Sequence, residues 1–480
     1  MFILIYNILI ITIGVLSGIL VGSLPGLTAT MTVALLVPLT FKLPEISGIL
    51  LLVSVYQGAV FGGSIASILI GIPGTPAATA TLMDGYPMGQ RGQGGKAIGV
   101  AAISSSLSGI IGILILYFVS RPVARASLYF RTPEYFALAL MGLSMCASLS
   151  SKNKLKGIIS AVIGLLISTI GMDPAIGIPR FSFGKMILYD GIEYIPAMIG
   201  LFGFASILEE INFSGLNKRI TEVKAILPSL DELKAIIKTS IIGGILGTII
   251  GAIPGAGANI GAFFSYDLNK RLSKKKNQFG TGIIEGVSAA ESGNNGVASG
   301  ALIPLLTFGI PGDSVTAVLL GALLMHGLRP GYSLFRERWP TLQMIFIGII
   351  AANIILLIAG LSLAKVYAKL LAIPKYYLFP IIMIFCIIGS YSMRNNTFDI
   401  LVMFVMGILG LFLKKANFSI ISLVLGIILG PMLEENLIRS IALSRGNLSI
   451  FLTRPVALIF IILSVLSFIG PFILSRLKSN

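Results

Sequence analysis

Charge is the scarcest property of this chain. Only 11% of its 480 residues are charged, whereas soluble domains carry about 25%, and the mean hydropathy is +0.96. Apolar runs long enough to cross a hydrocarbon core of about 30 Å recur along the whole length. The composition therefore excludes a soluble protein. We expect an all-α integral membrane protein with about 10–12 membrane segments.

Cysteine and histidine are also rare. The two cysteines lie far apart and outside any metal or redox spacing, and His326 is the only histidine, so no histidine-based metal site is expected. The sequence has no P-loop, G-x-S-x-G or H-E-x-x-H pattern, which argues against ATP drive within the chain and against a hydrolase. The net charge of +16 comes from basic residues in short loops, as membrane topology requires. We expect no enzyme activity, no cofactor and no nucleic-acid partner.

What the chain does have is a set of Pro-Gly steps that recur in pairs. The sequence GIPG at 71–74 returns at 309–312, 238 positions later, and Pro25-Gly26 returns as Pro254-Gly255, 229 positions later. Proline lacks the N–H and glycine tolerates any backbone angle, so each step breaks a helix. The near-equal offsets indicate an internal duplication. We divide the chain into a first membrane repeat, a cytoplasmic amphipathic linker and a second membrane repeat at 1–208, 209–238 and 239–480.

Basic flanks suggest the topology of the second Pro-Gly segment. Residues 239–268 lie between Lys234 and Lys238 on one side and a basic cluster at 270–276 on the other. One crossing cannot begin and end on the same side of the membrane, so we predict a re-entrant hairpin with its tip at 252–259. The counterpart, segment 10–41, lacks such flanks, which favours inverted repeats.

The residues after the breaks are candidates for binding an anion. A broken helix presents free N–H groups and a positive dipole end at the start of its second half. Such an end can hold a carboxylate without a full charge in the membrane. An ordinary packing kink is the alternative for any single break. Hydroxyl and amide groups follow the breaks at Thr28, Thr30, Thr75, Asn259, Ser314 and Thr316.

A polar cluster in the apolar segment 281–308 is a candidate ion site. Ionisable and amide residues at membrane depth are costly and by default functional. Glu291 could carry a proton or a cation, or it could brace a helix end, and the amides of Asn294 and Asn295 could coordinate Na⁺. Asp313 follows the second GIPG and could either cap the restarting helix or belong to the ion site.

Two long stretches resemble a known transporter family. Residues 22–103 contain GSLPGLTAT and GIPGTPAATATLMDGYPMGQRGQGGKA, and residues 251–335 contain GAIPGAGANIGAFFSYDLNKR and ESGNNGVASGALIPLLTFGIPGDS. They resemble the large permease subunit of tripartite tricarboxylate transporters, the TctA family. The resemblance implies a secondary transporter related to the ion-transporter superfamily, with two inverted repeats, re-entrant hairpins and an elevator-like mechanism.

The resemblance also implies partners, a substrate class and site residues. The partners would be a small four-helix membrane subunit and a periplasmic or extracellular solute-binding protein, in a bacterial cytoplasmic (inner) membrane; the superfamily also makes a homodimer an option. The substrate would be an organic di- or tricarboxylate, taken up by symport with Na⁺ or H⁺ as coupling ion. The resemblance implies that the substrate site is lined by Pro25, Gly26, Thr28, Gly74, Thr75, Pro254, Gly255, Asn259 and Gly312, and that Na⁺ could be held at Asn294 and Asn295. From their own chemistry and position we add Ser314 to the candidate substrate-binding residues, and Glu291 and Asp313 to the candidate coupling-ion residues.

Two positions depart from the family pattern. The family usually has Pro-Glu followed by small residues and two asparagines, whereas this chain has Ala290-Glu291-Ser292-Gly293 before its paired asparagines. Asp313 stands where a small neutral residue is more usual. These changes leave the coupling ion and the substrate open. A gated anion channel and a structural membrane subunit without transport of its own are the alternatives from other functional classes.

Overall fold

The chain folds into helices that form two separate units in a computed structural model. The structure describes residues 2–24, 27–144, 154–173, 177–210, 228–254, 257–363, 366–367 and 378–477. The first unit comprises Met1–Arg121 and Ser206–Phe385, and the second comprises Pro122–Ala205 and Cys386–Asn480. Each unit thus combines a stretch of the first predicted repeat with a stretch of the second, and the bounds of the predicted linker at 209–238 fall within the first unit.

The first unit begins with five long helices: α1 Phe2–Ser23, α2 Ala29–Thr40, α3 Glu45–Ile70, α4 Ala78–Met88 and α5 Gly94–Ala126, whose end passes into the second unit. Its second stretch contains, after the short α9 Ala205–Glu210, the helices α10 Leu230–Gly251, α11 Gly257–Leu272, α12 Ile284–Gly300, α13 Leu302–Phe308, α14 Ser314–Met325, α15 Tyr332–Glu337, α16 Trp339–Ser362 and the start of α17 Leu378–Arg394. A kink at Gly89–Gln93, where Gly92 has φ 76° and ψ 8°, joins α4 to α5.

The second unit is also helical, apart from one short hairpin. Its first stretch contains α6 Thr132–Ser144, α7 Lys154–Ser168, β1 Gly171–Met172, β2 Pro179–Arg180, α8 Tyr194–Met198 and the π-helical Ile199–Phe204, and ends as α9 Ala205–Glu210 begins. Its second stretch contains the end of α17, then α18 Thr397–Lys415, α19 Ile420–Leu443, α20 Ile450–Thr453 and α21 Pro455–Leu477. The two strands pair antiparallel, with Gly171 opposite Arg180.

Several helices are long enough to span a bilayer, in agreement with the predicted membrane protein. Among the described residues, seven helical stretches meet this condition by length and composition: Ile5–Ser23, Glu45–Ile70, Ala78–Ala126, Leu230–Gly251, Trp339–Ser362, Thr397–Lys415 and Ile420–Leu443. Shorter apolar helices occur as well, and two of them, Ala29–Thr40 and Ser314–Met325, directly follow Pro-Gly breaks.

The breaks that the sequence predicts are present. Helix α3 ends at Gly71 with φ 69° and ψ 24°, and α13 ends at Gly309 with φ 70° and ψ 24°. This left-handed conformation costs other residues about 1–2 kcal/mol, which accounts for glycine at both positions. The second predicted hairpin also exists as a helix–break–helix segment. Its first helix, α10, starts earlier than predicted because Ser229 and Glu232 form a capping box.

The two offsets found in the sequence relate helix contacts residue by residue. Adding 229 positions aligns the sequence ranges of α1 and α2 with those of α10 and α11, and adding 238 aligns α3 with α12–α13, α4 with α14 and α5 with α15–α16. The glycine contacts between the first helix of each hairpin and the helix that follows the hairpin obey the same arithmetic. They are Gly18 on Val55 and Gly22 on Ala59 in the first repeat, and Gly247 on Gly293 and Gly251 on Val297 in the second.

Equivalent helices run in opposite directions, as the prediction of inverted repeats requires. Gly109 of α5 lies against Asn353 of α16, and Ala102 lies against Gly360, so the numbering rises on one helix as it falls on the other. Helices α5 and α16 are partners under the 238-residue offset. The repeats of the first unit are therefore inverted.

Candidate functional site

The predicted hairpin tips begin the site. Pro25, Gly26 and Gly255 lie outside the described residues. Helix α2 begins at its N-cap Thr28, whose hydroxyl accepts a hydrogen bond from the backbone N–H of Met31 at 3.2 Å. In the second hairpin, Pro254 ends the turn after α10, and Asn259 lies exposed in the first turn of α11.

Each GIPG break lies against the end of the first hairpin helix of its own repeat. The backbone N–H of Gly74 donates to the carbonyl of Gly63 at 3.1 Å, and a Cβ on Gly74 would come within 2.5 Å of the Gly22 carbonyl oxygen. A Cβ on Gly312 would likewise come within 2.8 Å of the Gly251 carbonyl oxygen. Gly22 and Gly251 are equivalent positions, so both repeats bring a break and a hairpin end together.

The second break carries an acid that is already engaged. The Asp313 carboxylate accepts from the backbone N–H of Thr316 at 2.8 Å and from the Tyr56 hydroxyl at 2.5 Å. The Thr316 hydroxyl accepts from the Asp313 N–H at 2.9 Å, which completes a capping box for α14. Asp313 therefore caps a helix, and its negative charge occupies the positive end of α14.

The same break contacts the first hairpin. The hydroxyls of Thr30 and Ser314 share a hydrogen bond of 2.7 Å. Thr30 lies in the first turn of α2, and Ser314 begins α14. Helix α2 of the first repeat thus contacts the second GIPG break, which belongs to the second repeat.

The first break has a neutral counterpart to Asp313. Thr75 is the residue equivalent to Asp313 under the 238-residue offset, and its hydroxyl accepts from the Ala78 N–H at 3.4 Å. Thr75 is 8% exposed, and its side chain packs on Gly63. The two equivalent breaks therefore differ in charge, because a hydroxyl accepts a backbone N–H at the first and a carboxylate accepts one at the second.

Helix α4, which follows the first break, contacts the second hairpin through Asp84. This fully buried carboxylate accepts from the Tyr266 hydroxyl of α11 at 2.7 Å and from the backbone N–H groups of Gly280, Gly282 and Ile283 at 2.6–3.0 Å. Arg91 donates to the carbonyl of Thr281 at 2.9 Å in the same loop. The motif LMDGYPMGQRG thus positions the loop that precedes α12.

Glu291 lies in a cage of hydroxyl groups. Its carboxylate is fully buried, and it accepts from Ser64 of α3 and Thr81 of α4 on one oxygen and from Ser105 of α5 at 3.0 Å on the other. The Asn295 amide donates to the Ser105 hydroxyl at 2.7 Å, so Asn295, another residue predicted for the ion site, is linked to the same cage. Sequence reasoning did not find the three hydroxyl residues, since a serine or threonine in an apolar helix usually bonds to its own backbone.

Several buried amide atoms have no hydrogen-bond partner among the described residues. They are the Oδ1 of Asn295, the Oδ1 of Asn353 on α16, and both amide atoms of Asn294 and Gln57. Under the 238-residue offset, Tyr56-Gln57 is equivalent to Asn294-Asn295, so polar pairs occupy the same place in α3 and α12. The repeat offset alone could have identified Tyr56 and Gln57 in the sequence. Buried amide groups without partners are costly and indicate a ligand or water at the site.

The structure brings most of the described candidates into one region of the first unit. Tyr56 contacts Asp313 and Ser64 contacts Glu291, and these two residues of α3 are about 12 Å apart along the helix. Gly74 and Thr75 pack on Gly63, directly beside Ser64. For Pro254 and Asn259, no contact with this group is found among the described residues.

The second unit contains a pocket unrelated to these residues. It has a volume of about 390 Å³ and is lined by Arg180, Asp190, Glu193, Glu434 and Glu435, among others. Arg180 forms an ion pair with Glu434 and lies 3.2 Å from Asp173. Burial raises the pKa of Glu193, although the nearby Arg394 guanidinium opposes this shift. None of the predicted site residues lines this pocket.

Comparison with known proteins decides the family. The model of the tripartite tricarboxylate transporter TctA family matches residues 8–425. The chain belongs to the TctA family. It is therefore a membrane component of a tripartite tricarboxylate transporter and a multi-pass membrane protein, and the family works with further subunits.

Two similar proteins come from Agrobacterium vitis. The chain is 40% identical over 458 residues to one named "Uncharacterized 52.8 kDa protein in TAR-I ttuC' 3'region", and the match covers 94% of this chain and 90% of that protein. It is 42% identical over 202 residues to the "Uncharacterized protein in TAR-II ttuC' 3'region", which covers 41% of this chain and 82% of that protein. No solved structure matches the chain.

Proposed function

We propose that this subunit imports an organic di- or tricarboxylate across the bacterial cytoplasmic membrane by symport with Na⁺ or H⁺. A periplasmic or extracellular binding protein delivers the substrate, and a small four-helix subunit completes the membrane complex. Within the TctA family, the observation that supports this proposal best is the pair of GIPG breaks, each packed against the end of a hairpin in inverted repeats. Paired breaks of this kind mark the substrate site of secondary transporters.

The charges suggest which break receives the substrate. The first break, with Gly74 and Thr75, is neutral, so a carboxylate can accept a hydrogen bond from the Thr75 hydroxyl there without repulsion. The second break, with Gly312, Asp313 and Ser314, holds a carboxylate of its own at the helix N-terminus. We therefore place a carboxylate of the substrate at the first break. The neutral or hydroxyl-bearing part of the substrate would lie towards Ser314 and Thr30.

The substrate and the coupling ion would move together. A carboxylate at Thr75 and a cation held by Glu291, Asn294 and Asn295 offset each other's charge, which lowers the cost of carrying the site through lipid. An elevator-like movement would then expose the loaded site to the cytoplasm. Asp313 would contribute by fixing the start of α14 rather than by holding the ion.

The test is uptake of labelled citrate into proteoliposomes that contain this chain, its small subunit and its binding protein. We expect saturable accumulation that follows an imposed Na⁺ or H⁺ gradient and requires the binding protein. Uptake of another acid under the same requirements would retain the mechanism and change the substrate. Downhill flux without saturation would identify a gated channel, and the absence of flux for every acid and gradient would identify a structural subunit.

A double substitution tests the site. Replacing Asn294 and Asn295 by alanine should reduce uptake at least about tenfold, because the coupling ion loses amide ligands. The matched control is Asn353→Ala, which removes another fully buried amide, on α16, whose nitrogen donates to its own helix at 2.9 Å and whose Oδ1 likewise has no partner among the described residues. Unchanged uptake by the double variant would refute the assignment of these two residues.

A further inference from the structure

The hydroxyl groups around Glu291 come from three helices of the first unit, and a fourth helix carries Glu291 itself. Ser64 of α3, Thr81 of α4 and Ser105 of α5 each bond directly to the carboxylate, which α12 supplies. Bonds within one helix would need none of these neighbours. Four helices therefore meet at the Glu291 carboxylate and hold the three hydroxyl groups in a defined arrangement around it. A carboxylate that only braced a helix end would not require this arrangement.

The charge of this cage suits a monovalent cation. All its groups except the Glu291 carboxylate are neutral, and no cationic side chain among the described residues pairs with that carboxylate. One negative charge balances one positive charge, whereas a divalent ion would leave an unpaired charge at membrane depth. Carboxylate, hydroxyl and amide oxygens are the ligands that hard cations prefer.

An independent observation points to a ligand at the same place. The Oδ1 of Asn295 is fully buried and has no hydrogen-bond partner among the described residues. Its amide nitrogen donates to the Ser105 hydroxyl at 2.7 Å, so the carboxamide is held beside the cage. A buried acceptor without a donor is what a cation ligand would leave behind.

We propose that Glu291, Ser64, Thr81, Ser105 and the Oδ1 of Asn295 form the Na⁺ site of this transporter. The proposal rests on the proposed function and names its coupling ion. When Na⁺ binds, the three hydroxyls turn their lone pairs to the ion instead of donating to the carboxylate. The cation then offsets the buried charge of Glu291.

The position of Ser64 connects this site to the first break. Ser64 follows Gly63, whose carbonyl accepts the Gly74 N–H at 3.1 Å and on which Thr75 packs. Thr81 lies on α4, the helix that starts after the break. An ion that ties α3 and α4 to α12 therefore fixes the loop that we assign to the substrate carboxylate, so ion and substrate should raise each other's affinity.

The first experiment measures Na⁺ binding to the purified full-length chain without its partners. Thermal unfolding in detergent is followed in NaCl, KCl and choline chloride at one ionic strength. We expect Na⁺ alone to raise the midpoint in a saturable manner, as a ligand of the folded state must. Ser105→Ala and Ser64→Ala should weaken the apparent Na⁺ affinity about tenfold, a loss seen even for groups behind the direct ligands of a metal.

Ser104→Ala is the matched control. Ser104 is fully buried on the same helix and bonds to Ser288 at 2.8 Å rather than to Glu291. Its Na⁺ response should equal that of the wild type. Glu291→Gln should abolish the response; if that variant does not fold, the two serine variants still decide the question.

Failure of the ion site and failure of the proposed function give different results. A wild-type midpoint that ignores Na⁺, together with uptake driven by a proton gradient, would overturn the Na⁺ site and leave the transporter intact. Equal Na⁺ affinity in Ser105→Ala, Ser64→Ala and Ser104→Ala would also overturn it. A saturable Na⁺ response without uptake of any acid would support the site and count against the proposed transport.

Discussion

At the residue scale, Asp313 places a fixed negative charge beside the proposed substrate site. Its carboxylate caps α14 and accepts from Tyr56, whereas the equivalent Thr75 offers a hydroxyl at the first break. A fixed negative charge beside a polycarboxylate is unfavourable, by about 1 kcal/mol for two charges 8 Å apart at an effective dielectric constant of about 40. The residue should therefore weaken binding of highly charged acids.

We expect Asp313→Thr to lower the KM for citrate about fivefold, because it removes that repulsion and keeps a residue that can cap the helix. The measurement is the concentration dependence of uptake in proteoliposomes. Tyr56→Phe is the control, since it deletes the hydrogen bond to Asp313 but leaves the charge, and its KM should not fall. A higher KM in Asp313→Thr would mean that the carboxylate assists binding.

Asp84 is a second residue whose role only its neighbours reveal. The carboxylate receives three backbone N–H groups and one hydroxyl in a fully buried place. We expect Asp84→Asn to destabilise the protein on the order of 3 kcal/mol, because hydrogen bonds to a charged acceptor are lost and the amide adds a donor facing donors. A lower midpoint of thermal unfolding would report this loss.

Tyr266→Phe calibrates the Asp84 prediction. It removes one of the four donating groups, so the midpoint should fall by less than in Asp84→Asn. Equal midpoints in both variants would show that the backbone N–H groups contribute little to the stability of this loop.

At the scale of elements, the GIPG motif combines two different demands on glycine. Gly309 needs a left-handed backbone, and a Cβ there would meet nothing closer than Pro330 at 3.6 Å. Gly312 is demanding for another reason, because its Cβ would lie 2.7 Å from the Cβ of Ala301 and 2.8 Å from the Gly251 carbonyl oxygen. The first glycine ends a helix, and the second lets the break lie against the hairpin.

These demands predict different outcomes for two alanine substitutions. Gly309→Ala should cost about 1–2 kcal/mol of stability and leave the transport rate largely unchanged, since only the backbone conformation is strained. Gly312→Ala should reduce uptake strongly, because the break must move away from α10. Uptake and thermal midpoint are measured for both variants. If Gly312→Ala took up substrate as well as Gly309→Ala, close packing of the break against α10 would not be needed for transport.

At the scale of the whole chain, inversion follows from helix directions rather than from any single motif. Helices α5 and α16 run antiparallel, and each belongs to the equivalent part of its repeat. The loop between α2 and α3 and the loop between α11 and α12 should therefore lie on opposite sides of the membrane. By the positive-inside rule, the basic residues at 270–276 predict that the second loop lies in the cytoplasm.

Single cysteines test this topology. In a variant with Cys146 and Cys386 replaced by serine, Lys42→Cys should react with an impermeant thiol reagent from the periplasm. Lys275→Cys should react only after the membrane is opened; both positions are exposed. Labelling of both from the same side would contradict the inverted arrangement.

The sequence by itself determined the membrane class, the paired breaks, the duplication offsets and the family resemblance. These features depend on composition and on residues close in the chain, and proline and glycine act on their own backbone. It also singled out Glu291 and Asn295 as candidates for an ion site, because polar residues in an apolar segment are conspicuous. Asp313 remained ambiguous between a cap and an ion ligand.

Only the tertiary structure decided what surrounds these residues. Ser64, Thr81 and Ser105 are unremarkable in sequence, since they lie up to 227 positions from Glu291 and bond to it only when four helices pack together. The cap role of Asp313 required the backbone of Thr316 and the hydroxyl of Tyr56 to be placed around it. Local pattern shows where a chain must break or bury a polar group, but the partner of that group is set by packing between distant helices.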